Sequence, residues 1–499
     1  MQNTFIANLQ DFANLDLTQN GALAHKSTRS KVYDLFALGG AYRRRGLPDQ
    51  IMLFKQAFEE NEELALKCLF YLRDCRGGQG ERQFFRNCFK WLCFEHPVVA
   101  LRNLEYLSEY GRWDDLIYTT FDTPLFDDAF LIIQHQLYLD LECKTPSLLA
   151  KWMPSENASS TTTKTLAHYI RAHLGLTHKQ YRQMLSKLRE RINIVERLMS
   201  ANRWDEIEFD KIPSKAGLIY KNAFARRDII AKKYEAFAKS AETKVNAKTL
   251  FPYDVVSKAV GKSWGWGGNY RFPELSEVDR AMIEKYWDNL PDYLNGKPCK
   301  IMCVVDTSGS MTCSGKADAP INVAISLGMY CAERIGGPFK NHYISFSNRP
   351  QFIEIKGVDF VDKVRRIYQT NLCQNTNIEA TFNLLMNAAK TANPEDIPET
   401  IIIISDMQID SMNTAFWSAN QTVTEMERIR KRWENNGLKM PHLVYWNVNA
   451  SKNTILDGSS DVTYVSGCSP VIFEQVLTGV TGYELMLKKL MSERYAVIK

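Results

Sequence analysis

From about residue 300 onward the chain alternates continuous apolar runs with helical stretches, and this rhythm limits its possible folds more than any other feature. Residues 300–306 read as a strand, and so does Thr400-Ile401-Ile402-Ile403-Ile404-Ser405-Asp406. Further strands are expected at 341–347, 351–356, 442–448 and 462–466, with helices at 319–335, 377–391, about 411–435, 469–478 and 482–494. A strand that is apolar on both faces must be covered on both. The alternation therefore predicts a mostly parallel, doubly wound sheet between helix layers. In such sheets ligands bind beyond the carboxyl ends of the strands.

Two of these strands end in an acid. The run Cys303-Val304-Val305-Asp306-Thr307-Ser308-Gly309-Ser310-Met311 closes on D-x-S-x-S, and Asp406 closes the isoleucine run; Thr376 stands between them in Gln374-Asn375-Thr376-Asn377. Asp306 and Asp406 supply charge, while Ser308, Ser310 and Thr376 supply neutral hydroxyls. An oxygen-only set suits a small hard cation such as Mg²⁺, which takes about six oxygens and keeps some water. The same acids permit metal-assisted phosphoryl chemistry, but the hydroxyl-rich shell favours docking over catalysis. The segment resembles a von Willebrand factor A domain, a Rossmann-like fold, with an intact metal-ion-dependent adhesion site. That resemblance implies direct ligation by Ser308, Ser310 and Thr376, with Asp406 acting through water. It also implies a coordination position open to an acidic residue of a partner protein.

From about residue 50 to 290 the pattern is helical. Phe85, Cys88, Phe89 and Leu92 fall at helix spacing, as do Tyr181, Leu185, Leu188, Ile192 and Val195. Short punctuators separate the helices, which predicts a bundle or an α-solenoid. Residues 101–150 are acidic, whereas 151–250 carry about twice as many Lys and Arg as Asp and Glu. A basic helical region attracts nucleic acid, although a solvated helix face reads the same way.

Three segments stand out here. The first, Arg73-Asp74-Cys75-Arg76-Gly77-Gly78-Gln79-Gly80-Glu81-Arg82, places glycines before a helix. Its backbone N–H groups would cradle an anion, or the segment is an interhelical turn held by arginine–acid pairs, which is the preferred reading. The others, around Arg112-Trp113 and Lys151-Trp152, put a cation beside a tryptophan. That suits base stacking with phosphate contact, or a buried cation–π pair. Together the segments resemble a family of plants, bacteria and viruses that joins an R-G-G-x-G-E-R helical domain to a C-terminal A-like domain. This likeness runs from about residue 30 to 490.

The architecture is more distantly similar to the TROVE-domain proteins, the Ro autoantigen and its bacterial relatives. That similarity implies HEAT-like helical repeats arranged in a ring, and binding of small noncoding or misfolded RNA. The candidate RNA contacts are Arg73, Arg76, Arg82, Arg112, Trp113, Lys151, Trp152, Arg182, Lys187 and Arg189.

Eleven cysteines without a C-x-x-C pair, several in apolar patterns, indicate thiols in a reducing compartment. The N-terminus carries no secretory pattern, and no apolar run reaches the roughly 18–20 residues a bilayer requires. A cytoplasmic location follows, with no membrane partner. No H-E-x-x-H, nucleophile elbow or dinucleotide fingerprint is present, so the chain reads as a non-enzyme. The expected organisation is a helical domain over 1–290, a linker over 291–299, the A-like domain over 300–480 and a terminal helix over 481–499. The expected function is a Ro-like ribonucleoprotein scaffold whose Mg²⁺-dependent A domain docks a protein partner. The alternative is a metal-dependent adhesion module without RNA.

Overall fold

The computed structural model describes residues 13–192, 194–263, 270–312, 316–346, 349–370, 377–410, 423–452, 454–459 and 461–499. The chain divides into two compact units that do not follow chain order. One comprises 1–68 and 244–492, the other 69–243 and 493–499. Among the described residues no helix is long and apolar enough to cross a membrane.

The first unit carries the sheet. Its strands are β1 (Ile301–Asp306), β2 (His342–Phe346), β3 (Gln351–Glu354), β4 (Thr400–Ser405), β5 (His442–Asn447) and β6 (Thr463–Ser466). They are ordered β6-β5-β4-β1-β2-β3, parallel throughout except for the antiparallel edge strand β3. Every residue of β1 is buried, as are Ile401 to Ile404 of β4, which is why these runs lack polar alternation.

The unit's amino-terminal elements are helices α1 (Lys31–Leu38) and α2 (Leu47–Glu60), preceded by a short hairpin of Leu15–Leu17 against Leu23–His25. Ser30 caps α1, and seven of that helix's residues are buried. The Tyr33 hydroxyl accepts a bond from the Tyr464 N–H at 2.9 Å, and the Gly40 N–H donates to the Ser466 hydroxyl at 3.0 Å. Thus residues 13–60 complete the β6 side of the sheet unit.

The second unit is helical: α3 (Glu62–Arg73) runs into it, followed by α4 (Arg82–Glu95), α5 (Trp113–Thr120), α6 (Phe126–Glu142), α7 (Thr161–His173) and α8 (His178–Arg191), with α9 (Ser214–Arg226) and α10 (Asp228–Lys239) beyond. Helix α4 buries Phe84, Phe85, Cys88, Phe89, Leu92 and Cys93 along one stripe, as its spacing predicts. Helix α8 buries Tyr181, Leu185 and Leu188. It stops at Arg191, earlier than the apolar spacing suggests, and a separate turn of helix over Val195–Ser200 buries Val195.

Back in the sheet unit come α11 (Pro252–Val260), α12 (Glu277–Asp288), α13 (Pro320–Arg334), α14 (Phe360–Tyr368), α15 (Ile378–Ala389), α16 (Glu425–Asn435) and α17 (Gly482–Leu490). The helix expected near 411–435 is described only from Glu425, because 411–422 lie outside the described residues. Helix α14 was not anticipated. It buries Phe360, Val361, Val364, Ile367 and Tyr368, and its nine residues are too few to register as a long periodic segment.

The docking of the amino-terminal helix on β6 rests on close backbone approach. A Cβ at position 40 would lie 2.6 Å from the Ser466 carbonyl oxygen. Gly40→Ala is therefore expected to destabilise the protein by about 1–3 kcal/mol, read as a lower urea midpoint.

Candidate metal centre and helical connector

Parallel pairing of β1 with β4 sets Val305 opposite Ile404, so the two strands end side by side. Asp306, Ser308 and Asp406 are 0%, 2% and 2% exposed. The Ser405 hydroxyl donates to Asp306 Oδ2 at 2.5 Å, and the Ser308 N–H donates to Asp306 Oδ1 at 2.8 Å. The Ser308 and Ser310 hydroxyls lie 3.0 Å apart, and Ser310 also bonds to the Asp406 carboxylate. Four of the five expected ligands are thus brought together; the fifth, Thr376, lies outside the described residues. The contribution of Ser405 was missed in the sequence, where it is simply the last residue of an apolar run.

Neither carboxylate has a Lys or Arg within ion-pair distance among the described residues. Burial, and then the charge of Asp306, push the Asp406 carboxyl up to about 7. Burial raises Asp306 as well, with Asp410 adding to the effect and the bonds from Ser405 and Ser308 opposing it. Two buried like charges without a counter-charge are unfavourable unless protonated or matched by a cation. The donors are all oxygen, the set a hard divalent ion prefers, so the residues present fit Mg²⁺.

The loop after β4 is held from the far end of the chain. The Gln408 N–H donates to Asp406 Oδ1 at 3.1 Å. Gln408 Oε1 accepts from the Gln19 N–H at 2.6 Å, and the Gln408 carbonyl accepts from Asn20 Nδ2 at 2.7 Å. The Thr18 hydroxyl donates to the Ile409 carbonyl at 2.7 Å, and Gly21 bridges Asp410. These bonds hold a loop whose Met407 sits in the left-handed region at φ 60°. No local signal near residue 20 predicts this role.

In the helical unit, the R-G-G-x-G-E-R segment is a turn closed on itself. The N–H groups of Gly78 and Gly80 donate to the Asp74 carbonyl, that of Gln79 to Tyr71 and that of Glu81 to Leu72. The Arg76 N–H donates to Asp74 Oδ1 at 2.9 Å. The anion cradle is therefore not formed, because these donors are already satisfied. Gly78 is required by close approach, since a Cβ there would lie 2.0 Å from the Tyr71 carbonyl oxygen. Asp74 is fully buried and takes the Arg494 guanidinium in a bidentate pair, with the Tyr495 hydroxyl at 3.0 Å. Burial pushes its carboxyl up, but Arg494 and the N–H groups of Arg76 and Gly77 outweigh that and hold it below the usual carboxylate range.

The candidate RNA contacts separate into two groups. Arg73 is buried, with Nε and Nη2 on Asp115 at 2.9 and 2.6 Å, so it has no free face. Arg189 donates to the Ala150 and Met153 carbonyls and to the Ser155 hydroxyl. Arg112 forks onto Asp114 at 2.9 and 2.7 Å and stacks 3.9 Å from the Trp152 ring centre, the cation–π corner foreseen as one option. Arg76 is exposed, but it reaches the Glu109 carbonyl. Trp113, Lys151 and Trp152 are half-buried. Arg82, Arg182 and Lys187 are exposed, and none has a carboxylate within ion-pair distance among the described residues. Burial and the neighbouring Arg112 and Arg86 charges lower the pKa of Arg82. Arg182 and Arg189 line a cavity of about 410 Å³ with Tyr181 and Arg197.

Residues 18–121 and 139–296 match the family described as a domain of unknown function, DUF2828, and residues 300–491 match that described as a domain of unknown function, DUF7788. The chain is similar to the uncharacterized protein L728 of Acanthamoeba polyphaga mimivirus, at 28% identity over 487 residues, covering 89% of this chain and 81% of that one. Among solved structures it is similar to the Deinococcus radiodurans RO (RSR) protein, at 11% identity and a TM-score of 0.36, covering 93% of this chain and 98% of that one.

The Asp406 shift gives the metal-free protein a pH dependence of definite sign. The folded carboxyl holds its proton up to about 7, against a reference of 3.8, so folding binds a proton in that window. The contribution is fully present below 3.8 and is lost as pH rises through about 7. In a chelator, the melting temperature is expected to fall over that range for the native protein and to fall less for Asp406→Asn.

Proposed function

The chain belongs to the DUF2828 family, and from that premise we propose that it is a docking scaffold with two working parts. Its sheet unit is a von Willebrand A-like adhesion module in which Asp306, Ser308, Ser310, Thr376 and Asp406 hold Mg²⁺. The ion supplies an electrophilic position that accepts an acidic group from a protein partner. The observation that carries this reading is the buried Asp306–Asp406 pair at adjacent strand ends, with no positive side chain to neutralise it among the described residues. Hydroxyl ligands donate little charge to a hard cation, which leaves the ion attractive to an outside carboxylate. No reaction is assigned to the site.

The helical unit, in the same reading, holds small noncoding RNA. Support comes from Arg82, Arg182 and Lys187, which are exposed without a carboxylate partner among the described residues, and from the cavity beside Arg182. Phosphates are matched by such cations, and the binding is salt-dependent. A protein-only adhesion module is the second reading. It is favoured by the internal pairing of Arg73, Arg112 and Arg189, which removes three of the candidate contacts.

Calorimetric titration with MgCl₂ is expected to give binding that is lost in Asp306→Ala, and partner binding is expected to vanish in EDTA. If Mg²⁺ binds Asp306→Ala as well as the native protein, the docking reading fails. For the helical unit, filter binding of small structured RNA at low salt should weaken when Arg182 and Lys187 are both changed to Ala. Absence of RNA retention at low salt, with docking intact, selects the protein-only module.

A further inference from the structure

A second donor set of different chemistry lies within the helical unit. His168 sits on α7, outside the buried stripe of Leu166, Ala167 and Ile170. His178 is the first residue of α8, where a reciprocal cap between Thr177 and Gln180 sets the start of the helix. Glu156 lies in the connection that precedes α7. That connection is rigidly placed: the Pro154 carbonyl accepts from the Tyr181 hydroxyl at 2.8 Å, and Arg189 bonds to the Met153 carbonyl and the Ser155 hydroxyl, each at 2.9 Å. The Glu156 side chain is only 5% exposed, whereas both imidazoles open to solvent.

Both histidines turn Nδ1 to the same atom. Glu156 Oε1 lies 2.7 Å from Nδ1 of His178 and 3.2 Å from Nδ1 of His168, and the three ligand atoms fall within 4.8 Å of one another. Ligands at about 2.0–2.1 Å from a tetrahedral ion stand roughly 3.3–3.4 Å apart. The His168–Glu156 edge is already close to that length. The His178 edge must open by about 0.6–0.7 Å, a small rotation for an exposed ring. Arg171 Nε lies 3.1 Å from the same Oε1 atom and helps to fix the orientation of the carboxylate.

We propose that Glu156, His168 and His178 form a zinc-class transition-metal site with its fourth position open to solvent. Two imidazoles and one carboxylate suit zinc and its borderline neighbours, not Mg²⁺, which prefers oxygen alone. The site is independent of the Asp306 centre: it differs in ligand chemistry, lies in the other compact unit, and stands whether or not the docking reading holds.

The test is a zinc titration of the chelator-stripped full chain against a chromophoric indicator, in excess Mg²⁺. One saturable equivalent of zinc is expected, retained in Asp306→Ala and lost in the double variant His168→Gln, His178→Gln. Glu156→Gln keeps both imidazoles but removes the anionic ligand, and should weaken binding without abolishing the circular dichroism of the fold. Zinc should also raise the melting temperature of the native protein and not that of the double variant. Zinc held by thiols such as the exposed Cys143 is common to all these proteins, so it cancels in the comparison. Equal zinc uptake by the native and double-variant proteins, or no uptake by either, overturns the site.

Discussion

Parallel pairing of two strands, Ile301–Asp306 and Thr400–Ser405, buried at every position but Thr400, underlies the sheet-bearing unit. Because the side chains beyond Thr400 are all buried, the register cannot slip without moving an apolar row out of the core. The two strands end side by side, the first on Asp306 and the second just before Asp406. The fold therefore buries two carboxylates side by side, with no Lys or Arg within ion-pair distance among the described residues. Ser405, Ser308 and Ser310 solvate them in part, but hydroxyls do not cancel charge. Placing both carboxylates there is built into the topology, and either a proton or a cation relieves the repulsion between them.

The helical unit handles buried acids differently, and the contrast is informative. Asp74 and Asp115 are as deeply buried as Asp306, yet each meets a guanidinium: Arg494 on Asp74, Arg73 and Arg86 on Asp115. Those acids hold helices and the chain's last residues in place, and their charges are matched internally. Glu156 belongs to an intermediate case, touched by Arg171 and by two imidazoles. Among the described residues Asp74 and Asp115 are matched by arginine, whereas Asp306 and Asp406 have no such partner.

Much of the sheet unit was legible because its strands are apolar on both faces, which leaves little else they can form. The strands at 301–306, 400–405 and 442–447 and the helices at 320–334 and 378–389 lie within a residue or two of their expected positions. The short helix Phe360–Tyr368 escaped notice, since nine residues give little more than two turns of periodicity. In the helical unit, the stripe Phe85, Cys88, Phe89 and Leu92 was readable, but the break after Arg191 was not, because Ile192 and Val195 continue the spacing on a separate turn. The glycines of the R-G-G-x-G-E-R segment admitted two readings until their N–H partners were known.

The sequence by itself determined the alternation that builds the sheet, the acids at its strand ends and the amphipathic stripes of the helices, because each is a local pattern of side-chain polarity. Only the tertiary structure decided where residues 13–60 go, since Tyr33, Gly40 and Gln19 find partners some four hundred residues away. It alone decided which arginines are matched by acids, and that Glu156, His168 and His178 converge. Such pairings depend on distances between elements that no local pattern records, and they carry the charge balance on which both candidate ion sites rest.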